Sequence, residues 1–189
     1  MFRAVIFDFD GTITKPFLDF RKIKQDIGFP EDEIYLLERM QEMPEKEKQR
    51  AFRILERYEK EAVEKSELND DAHEVLETLK RKGIKTVLLT RNSHLSINES
   101  CQKHRICFDL IITREDAAVK PEPDGIILAS RKLNIALDEI IMVGDYQFDI
   151  IAGNRAGVKT VLLTNGNKHH WDIKSDYIIH RLIDLIALL

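Results

Sequence analysis

The stretch FRAVIFDFDGT, at residues 2–12, joins a short apolar run to an acidic turn. Residues 2–7 have the length and the β-rich composition of a buried strand. The glycine and the polar residues that follow indicate a turn. Because Gly11 lets the backbone turn away sharply, the side chains of Asp8 and Asp10 can both enter one pocket. The stretch therefore predicts a buried strand that ends in an acidic loop.

Similar apolar runs recur along the chain and alternate with helical patterns. The predicted strands lie at residues 84–90, 109–113, 139–144 and 158–164, with a shorter candidate at 177–179. The predicted helices lie at residues 70–82, 94–104, 123–133 and 147–156. This alternation predicts an α/β fold with a doubly wound, mostly parallel sheet that helices cover on both faces. Ligands bind such sheets beyond the carboxyl ends of the strands, so the polar residues that close the strands should converge.

The alternation is interrupted between residues 34 and 66, where two helical patterns occur without a strand. Pro44 is well placed to begin the second of these helices. An apolar stripe on that helix is formed by Phe52, Leu55, Tyr58 and Ala62. We favour ordinary packing of the stripe against the core, with coverage of the active site or pairing with another subunit as alternatives. The predicted domains are a core, residues 1–14 and 68–189, and a small all-helical insertion, residues 15–67.

Composition and charge argue against a nucleic-acid or membrane partner. The 189 residues carry 29 basic and 33 acidic side chains, a formal net charge of −4, which does not suit binding to a nucleic-acid backbone. The N-terminal stretch lacks the length and cleavage site of a secretory signal, and no run approaches membrane-spanning length. Cys101 and Cys107 have no metal-ligand spacing, and a reduced state is the expectation. We therefore expect a cytoplasmic protein that binds neither membrane nor nucleic acid.

Three further strand ends carry polar residues suited to phosphate chemistry. The sequence GDYQFD at residues 144–149 supplies a second acidic pair, Asp145 and Asp149. Thr90 offers a hydroxyl donor, and Lys120, shortly after the strand at 109–113, offers a cation. Close carboxylates need a counter-charge, which Mg2+ supplies because it prefers oxygen ligands and bridges carboxylate and phosphate. Phosphoryl transfer depends mainly on positioning and on neutralising oxygens, so these residues predict a magnesium-dependent phosphate site.

In chain order these motifs resemble those of the haloacid dehalogenase superfamily. DFDGT at residues 8–12 looks like its first motif, Thr90 the second, Lys120-Pro121 the third, and GDYQFD at 144–149 the fourth. Residues 144–164 are similar to the phosphoglycolate phosphatase-like branch, which carries a helical cap after the first motif. The resemblance implies a Rossmann-like core with residues 15–67 as a reduced cap. Because this cap is shorter than usual, the resemblance leaves the substrate open.

The resemblance also implies a mechanism. Asp8 would be the nucleophile, and Asp10 would protonate the leaving alcohol and then act as the base toward water. Asp8, Asp145 and the backbone carbonyl of Asp10 would ligate Mg2+. Asp149 would act through water or orient Lys120. The implied activity is hydrolysis of a small phosphorylated metabolite by a monomer or a homodimer.

The residues expected to hold the phosphate oxygens are Thr90, Lys120 and Arg91. The sequence KTVLLT occurs at residues 85–90 and again at 159–164, which makes Thr164 a second candidate threonine. Family order favours Thr90. For Arg91, a contact with a second anionic group and a solvent-facing position both stay open.

Other functions and sites are weaker interpretations. A phosphomutase resembling β-phosphoglucomutase shares the aspartyl nucleophile, but the spacing of Asp145 and Asp149 is the more phosphatase-like form of the fourth motif. A non-catalytic phosphate-binding regulator is a further alternative. His169 and His170 have no third ligand at metal-binding spacing, so we expect them to be surface residues outside the site.

Overall fold

The computed structural model describes residues 1–167 and 171–189, and over these residues the chain forms a six-stranded sheet. The strands are β1 Ala4–Phe7, β2 Lys85–Leu89, β3 Leu110–Ile112, β4 Ile140–Gly144, β5 Lys159–Leu163 and β6 Tyr177–Ile179. Their order across the sheet is β3-β2-β1-β4-β5-β6, and each neighbouring pair is parallel. The predicted α/β fold class is confirmed, with a sheet that is wholly rather than mostly parallel.

Helices connect these strands. They are α1 Phe20–Ile27, α2 Leu36–Gln41, α3 Glu45–Lys65, α4 Ala72–Arg81, α5 His94–His104, α6 Asp124–Leu133 and α7 Gln147–Ala156, with short 3-10 segments at Leu137–Glu139 and Leu182–Leu188. The helices predicted for the core are present, with ends that shift by two residues at most. Within the described residues, we find no helix with both the length and the apolar character needed to span a bilayer.

The central strand β1 is buried on both faces, as a parallel sheet covered by helices requires. Consecutive residues of a strand point to opposite faces. Val5 and Phe7 pack in an apolar cluster with residues of α4 and α5, whereas Ala4 and Ile6 pack with residues of α6 and α7. All four side chains are fully buried. The acidic loop that follows β1 therefore emerges at the middle of the sheet.

The repeated sequence KTVLLT has a structural counterpart in β2 and β5. At β2, Lys85 Nζ lies 2.6 Å from Asp109 Oδ1, and the backbone nitrogen of Thr86 donates to Oδ2 over 2.9 Å. At β5 the equivalent lysine and threonine contact Asp176 at 2.5 and 3.0 Å. Each aspartate directly precedes the adjacent outer strand, β3 or β6. The same Lys-Thr pair thus anchors an outer strand on each side of the sheet.

The insertion contains three helices, of which two were predicted. Helices α2 and α3 match the predicted pair, and Pro44 is the N-cap of α3. Helix α1 was not predicted, because its eight residues bury two apolar side chains, Ile23 and Ile27. Its N-cap, Asp19, accepts hydrogen bonds from two backbone nitrogens of the first turn.

Part of the apolar stripe of α3 packs within the insertion, whereas we favoured packing against the core. Leu55 and Tyr58 lie in a buried cluster with Ile23 and Met40, which belong to α1 and α2. Leu55 also lines the cavity at the carboxyl ends of the strands. The insertion therefore has a small core of its own that includes Leu55 and Tyr58, while α3 also contacts α5 of the core.

Candidate active site

One cavity of about 380 Å³ lies where the central strands end. The predicted site residues all line it: Asp8, Asp10, Thr90, Arg91, Lys120, Asp145 and Asp149. Asp8 follows β1, Thr90 follows β2 and Asp145 follows β4, and these strands are neighbours in the sheet. The structure therefore brings the predicted residues together at one edge.

Thr164, the second candidate threonine, lies away from this cavity. The hydroxyl of Thr164 lies 2.8 Å from Nδ1 of His180, and Thr164 is not among the described residues that line the cavity. His169 and His170 lie outside the described residues. Cys101 and Cys107 are both free cysteines.

Lys120 bridges two carboxylates at the floor of the cavity. Its Nζ lies 2.5 Å from Asp8 Oδ1 and 2.7 Å from Asp149 Oδ1, and its side chain is 2% exposed. Burial alone would lower the pKa of Lys120, but the charges of Asp149 and Asp8 outweigh it and raise the pKa above its usual value. Lys120 is therefore a permanent cation, which suits the neutralisation of phosphate oxygens.

Three carboxylates converge beside this lysine. Ligand oxygens of Asp8, Asp145 and Asp149 all lie within 4.8 Å of one another. The backbone makes room for them at two glycines. A Cβ on Gly11, which has φ of 85°, would lie 2.1 Å from an oxygen of Asp145, and one on Gly144 would lie 2.2 Å from the carboxylate of Asp149. Any side chain at these two positions would displace the carboxylates.

The pKa values of two carboxylates in this cluster are raised by burial and by repulsion from their neighbours. Burial, together with the charges of Asp149 and Asp10, raises the pKa of Asp8 to about 7 despite the opposing effect of Lys120. Burial and the charge of Asp8 raise the pKa of Asp145 to about 8. Oxygen donors that repel one another in a buried site form the set that a hard divalent cation neutralises. The residues therefore fit the predicted Mg2+.

Asp10 has a separate environment. Its Oδ2 accepts a hydrogen bond from Asn92 Nδ2 over 2.6 Å. Burial raises the pKa of Asp10 to about 6, the hydrogen bond from Asn92 lowers it, and the charge of Glu59 raises it. An acid with a pKa near neutrality can both donate and accept a proton at physiological pH. The sequence did not assign Asn92 a role, although it directly follows the motif residues Thr90 and Arg91.

Arg91 joins the core to the insertion. Its two terminal nitrogens each lie 2.9 Å from an oxygen of Glu38 on α2, and it also donates to the backbone carbonyl of Lys120. The guanidinium lies over the ring of Phe148 at 4.9 Å from its centroid. The sequence did not foresee this ion pair, and the phosphate contact of Arg91 stays a prediction.

A second ion pair joins α3 to the core. Glu59, 3% exposed, pairs with Arg114 and accepts a hydrogen bond from Ser93 Oγ over 2.8 Å. Glu59 also lines the cavity. Sequence analysis missed it, because α3 is rich in charged residues and no pattern distinguishes a buried glutamate from an exposed one.

Comparison with known proteins finds a matching family profile and related sequences. A sequence profile for haloacid dehalogenase-like hydrolases matches residues 5–163. An uncharacterized hydrolase of Saccharomyces cerevisiae is 35% identical over 176 residues, which cover 89% of this chain and 80% of the yeast protein. Pyrophosphatase PpaX of Bacillus mycoides is 29% identical over 126 residues, which cover 64% of this chain and 59% of PpaX.

A solved structure shares the fold. The crystal structure of a predicted phosphoglycolate phosphatase from Haemophilus somnus aligns with a TM-score of 0.77 at 23% identity. The alignment covers 99% of this chain and 97% of that protein.

Proposed function

The chain belongs to the haloacid dehalogenase-like hydrolases, and we propose that it is a Mg2+-dependent phosphatase that hydrolyses a small phosphomonoester through an aspartyl-phosphate on Asp8. The observation that carries the proposal is the placement of Lys120 Nζ against Asp8 and Asp149, beside Asp145. A nucleophile, a cation and a carboxylate cluster suited to a metal thus share one cavity.

In the first step, a carboxylate oxygen of Asp8 attacks phosphorus and the bond from phosphorus to the alcohol oxygen breaks. Asp10 donates its proton to the departing oxygen. Lys120 and the hydroxyl of Thr90 hold phosphate oxygens as charge shifts between them. The products of this step are the free alcohol and phosphorylated Asp8.

In the second step, water attacks the phosphorus of the aspartyl-phosphate. Asp10, now ionised, takes a proton from that water, and the bond from phosphorus to Asp8 breaks. Inorganic phosphate leaves, and both aspartates return to their starting states. The pKa of Asp10, raised by burial to about 6, suits a group that performs both transfers.

Asp8, Asp145 and the backbone carbonyl of Asp10 would hold Mg2+, and Asp149 would contact it through water while orienting Lys120. When bound, the cation supplies charge neutralisation for the phosphate oxygens and for the acidic cluster. The proposal places a monomer or homodimer in the cytoplasm, with a phosphorylated metabolite as its partner.

The test is phosphate release from a panel of small phosphomonoesters and pyrophosphate, the latter because one relative is a pyrophosphatase. Wild type is compared with Asp8→Asn, with Mg2+ and with a chelator. Asp138→Asn, an exposed aspartate, is the matched control. We expect turnover that needs Mg2+, persists in the control and disappears in Asp8→Asn. Turnover that survives Asp8→Asn would remove Asp8 as the nucleophile.

A further inference from the structure

The cavity has two chemically different ends. The charged residues described above line its floor at the strand ends. Its outer walls are apolar and come from both sides: Phe17, Phe20 and Ile34 belong to the insertion, and Tyr146 and Phe148 belong to the core. A phosphoester whose phosphate sits against Lys120 would therefore place its alcohol between these walls.

Large apolar side chains are exposed at this mouth. Nine of them are exposed in the described part of the chain, and four of the nine line the cavity: Phe17 at 36%, Phe20 at 51%, Ile34 at 44% and Tyr146 at 38%. A fifth, Tyr35, stacks on the ring of Phe148 at 5.4 Å between centroids. Exposed apolar side chains gathered around one opening are typical of a binding site rather than of ordinary surface.

A row of aromatic rings from the core and the insertion stands at the mouth. Phe148 stacks with Tyr35 and meets the edge of Tyr146 at 5.1 Å, and Tyr146 meets Trp171 at 5.1 Å. Arg91 covers Phe148 and fixes it from one side. Rings that hold one another in place present a preformed apolar wall, which binds a flat ligand without first having to be ordered.

The charges near the mouth disfavour a second anion. Among the described residues that line the cavity, the cations are Lys24, Arg91 and Lys120. Arg91 is engaged by both oxygens of Glu38, Lys120 by two carboxylates, and Lys24 donates to the carbonyl of Glu31. Glu33 and Glu59 add negative charge to the walls. A carboxylate or a second phosphate on the alcohol would thus meet like charges, and each of these cations already has an acceptor.

Resting on the proposed phosphatase function, we infer that the substrate is a phosphomonoester whose alcohol is neutral and carries an aromatic ring or a comparable flat apolar group. The ring lies between Phe20 of the insertion and Tyr146 of the core, which both line the cavity and are both exposed. A small anionic alcohol such as glycolate would leave the apolar walls unfilled and would lack a free cation. The cavity volume of about 380 Å³ lies within the range of roughly 300–1,000 Å³ that small-molecule pockets occupy.

The experiment compares 2-phenylethyl phosphate with ethyl phosphate, since the two alcohols have similar acidity and differ by the ring. Transfer of a phenyl ring from water to an apolar wall predicts a kcat/KM at least about tenfold higher for the phenylethyl ester. 2-Phosphoglycolate should be the poorest of the three. Equal values for the two neutral esters, or a preference for phosphoglycolate, would overturn the inference.

Two variants test where in the cavity the ring of the substrate binds. Phe20→Ala should reduce the ratio between the two esters severalfold, and folding is not at risk because half of this side chain is exposed. The matched control is Ile178→Ala, which removes an apolar side chain on β6 that is even more exposed, at 62% against 51%, and should leave the ratio unchanged. A ratio that Phe20→Ala leaves intact would contradict the proposed position of the ring.

A binding measurement separates this inference from the proposed function. Isothermal titration calorimetry of Asp8→Asn measures the Kd of each ester in the absence of turnover. We expect Kd to be at least about tenfold lower for the phenylethyl ester than for the ethyl ester. If wild type hydrolyses none of the esters while this preference is seen, the phosphatase proposal fails and the apolar site stands. If turnover depends on Asp8 but the two Kd values are equal, the apolar site fails.

Discussion

The side-chain nitrogen of Asn92 donates a hydrogen bond to Oδ2 of Asp10 over 2.6 Å. Asn92 comes from the loop after β2 and Asp10 from the loop after β1, so the contact depends on the pairing of these two strands. It stabilises the ionised form of Asp10, whose pKa burial raises to about 6. Asn92 therefore tunes the residue that we assign as the acid and base of the reaction.

Asn92→Ala should move the alkaline limb of the pH profile of kcat/KM to higher pH. Loss of a hydrogen bond to the carboxylate raises the pKa of Asp10 further, so the protonated acid persists over a wider range. The profile is measured with an alkyl phosphate, whose leaving oxygen needs the proton. Asn98→Ala, an exposed asparagine on α5, is the control. A limb that stays in place or moves to lower pH would contradict this role.

Mg2+ should stabilise the protein more at high pH than at low pH. The pKa values of Asp8 and Asp145, about 7 and about 8, exceed the ordinary value of 3.8, so the folded state binds more protons than the unfolded state between these limits. Stability without metal therefore falls as pH rises through this window. Mg2+ competes with those protons. It should therefore raise Tm more at about pH 8.5 than at about pH 5.5. An equal rise at both pH values, or an undiminished rise in Asp145→Asn, would show that the ion binds elsewhere.

Glu59→Gln should destabilise the protein and loosen the insertion. The side chains of Glu59 and Arg114 are 2% and 9% exposed, and loss of Glu59 leaves Arg114 only Glu115, an exposed carboxylate 3.9 Å away. Such a loss costs up to about 3–5 kcal/mol. Urea unfolding measures the change, and Glu56→Gln, exposed on the same helix, should change it little. Equal effects of the two substitutions would mean that the pair does not hold the insertion.

Asp176→Asn should weaken the anchor of β6. The hydrogen bond from Lys159 holds the pKa of Asp176 below its usual value, as do the bonds from Thr160. The ionised carboxylate therefore adds stability above about pH 4, and this contribution is lost as pH falls through the lowered folded pKa. We expect a loss of about 1–2 kcal/mol near neutral pH, from urea unfolding, that shrinks on acidification. Asp138→Asn should show neither effect, and a loss independent of pH would contradict the assignment.

The positions of the principal site residues could be predicted from the sequence. Asp8, Thr90 and Asp145 each end a strand, and parallel strands place such ends at one edge, so their meeting follows from the strand pattern. Lys120 has no such position, because it lies eight residues beyond β3. The sequence pattern offered Lys120 only as a cation near a strand end, and the resemblance to a family gave it its place in the site.

The contacts between the insertion and the core could not be predicted in this way. Glu38 and Glu59 lie on helices with many charged residues, and their partners, Arg91 and Arg114, are distant in sequence. The periodicity of a helix predicts which of its faces is buried. It does not predict which charged residue elsewhere in the chain will pair with a glutamate on that face. Helix α1 was not predicted because only two of its residues are buried, which gives too weak a hydrophobic periodicity to recognise in the sequence.

The most direct test of the central claim is to trap the phosphorylated enzyme. Wild type with Mg2+ and a radiolabelled substrate is quenched in acid within the first turnover, and the label is mapped by mass spectrometry. We predict a phosphoryl group on the peptide that contains Asp8, at the same level in Asp138→Asn and absent from Asp8→Asn, which should not turn over. Steady turnover by Asp8→Asn, or a label on another residue, would contradict the assignment of Asp8 as the nucleophile.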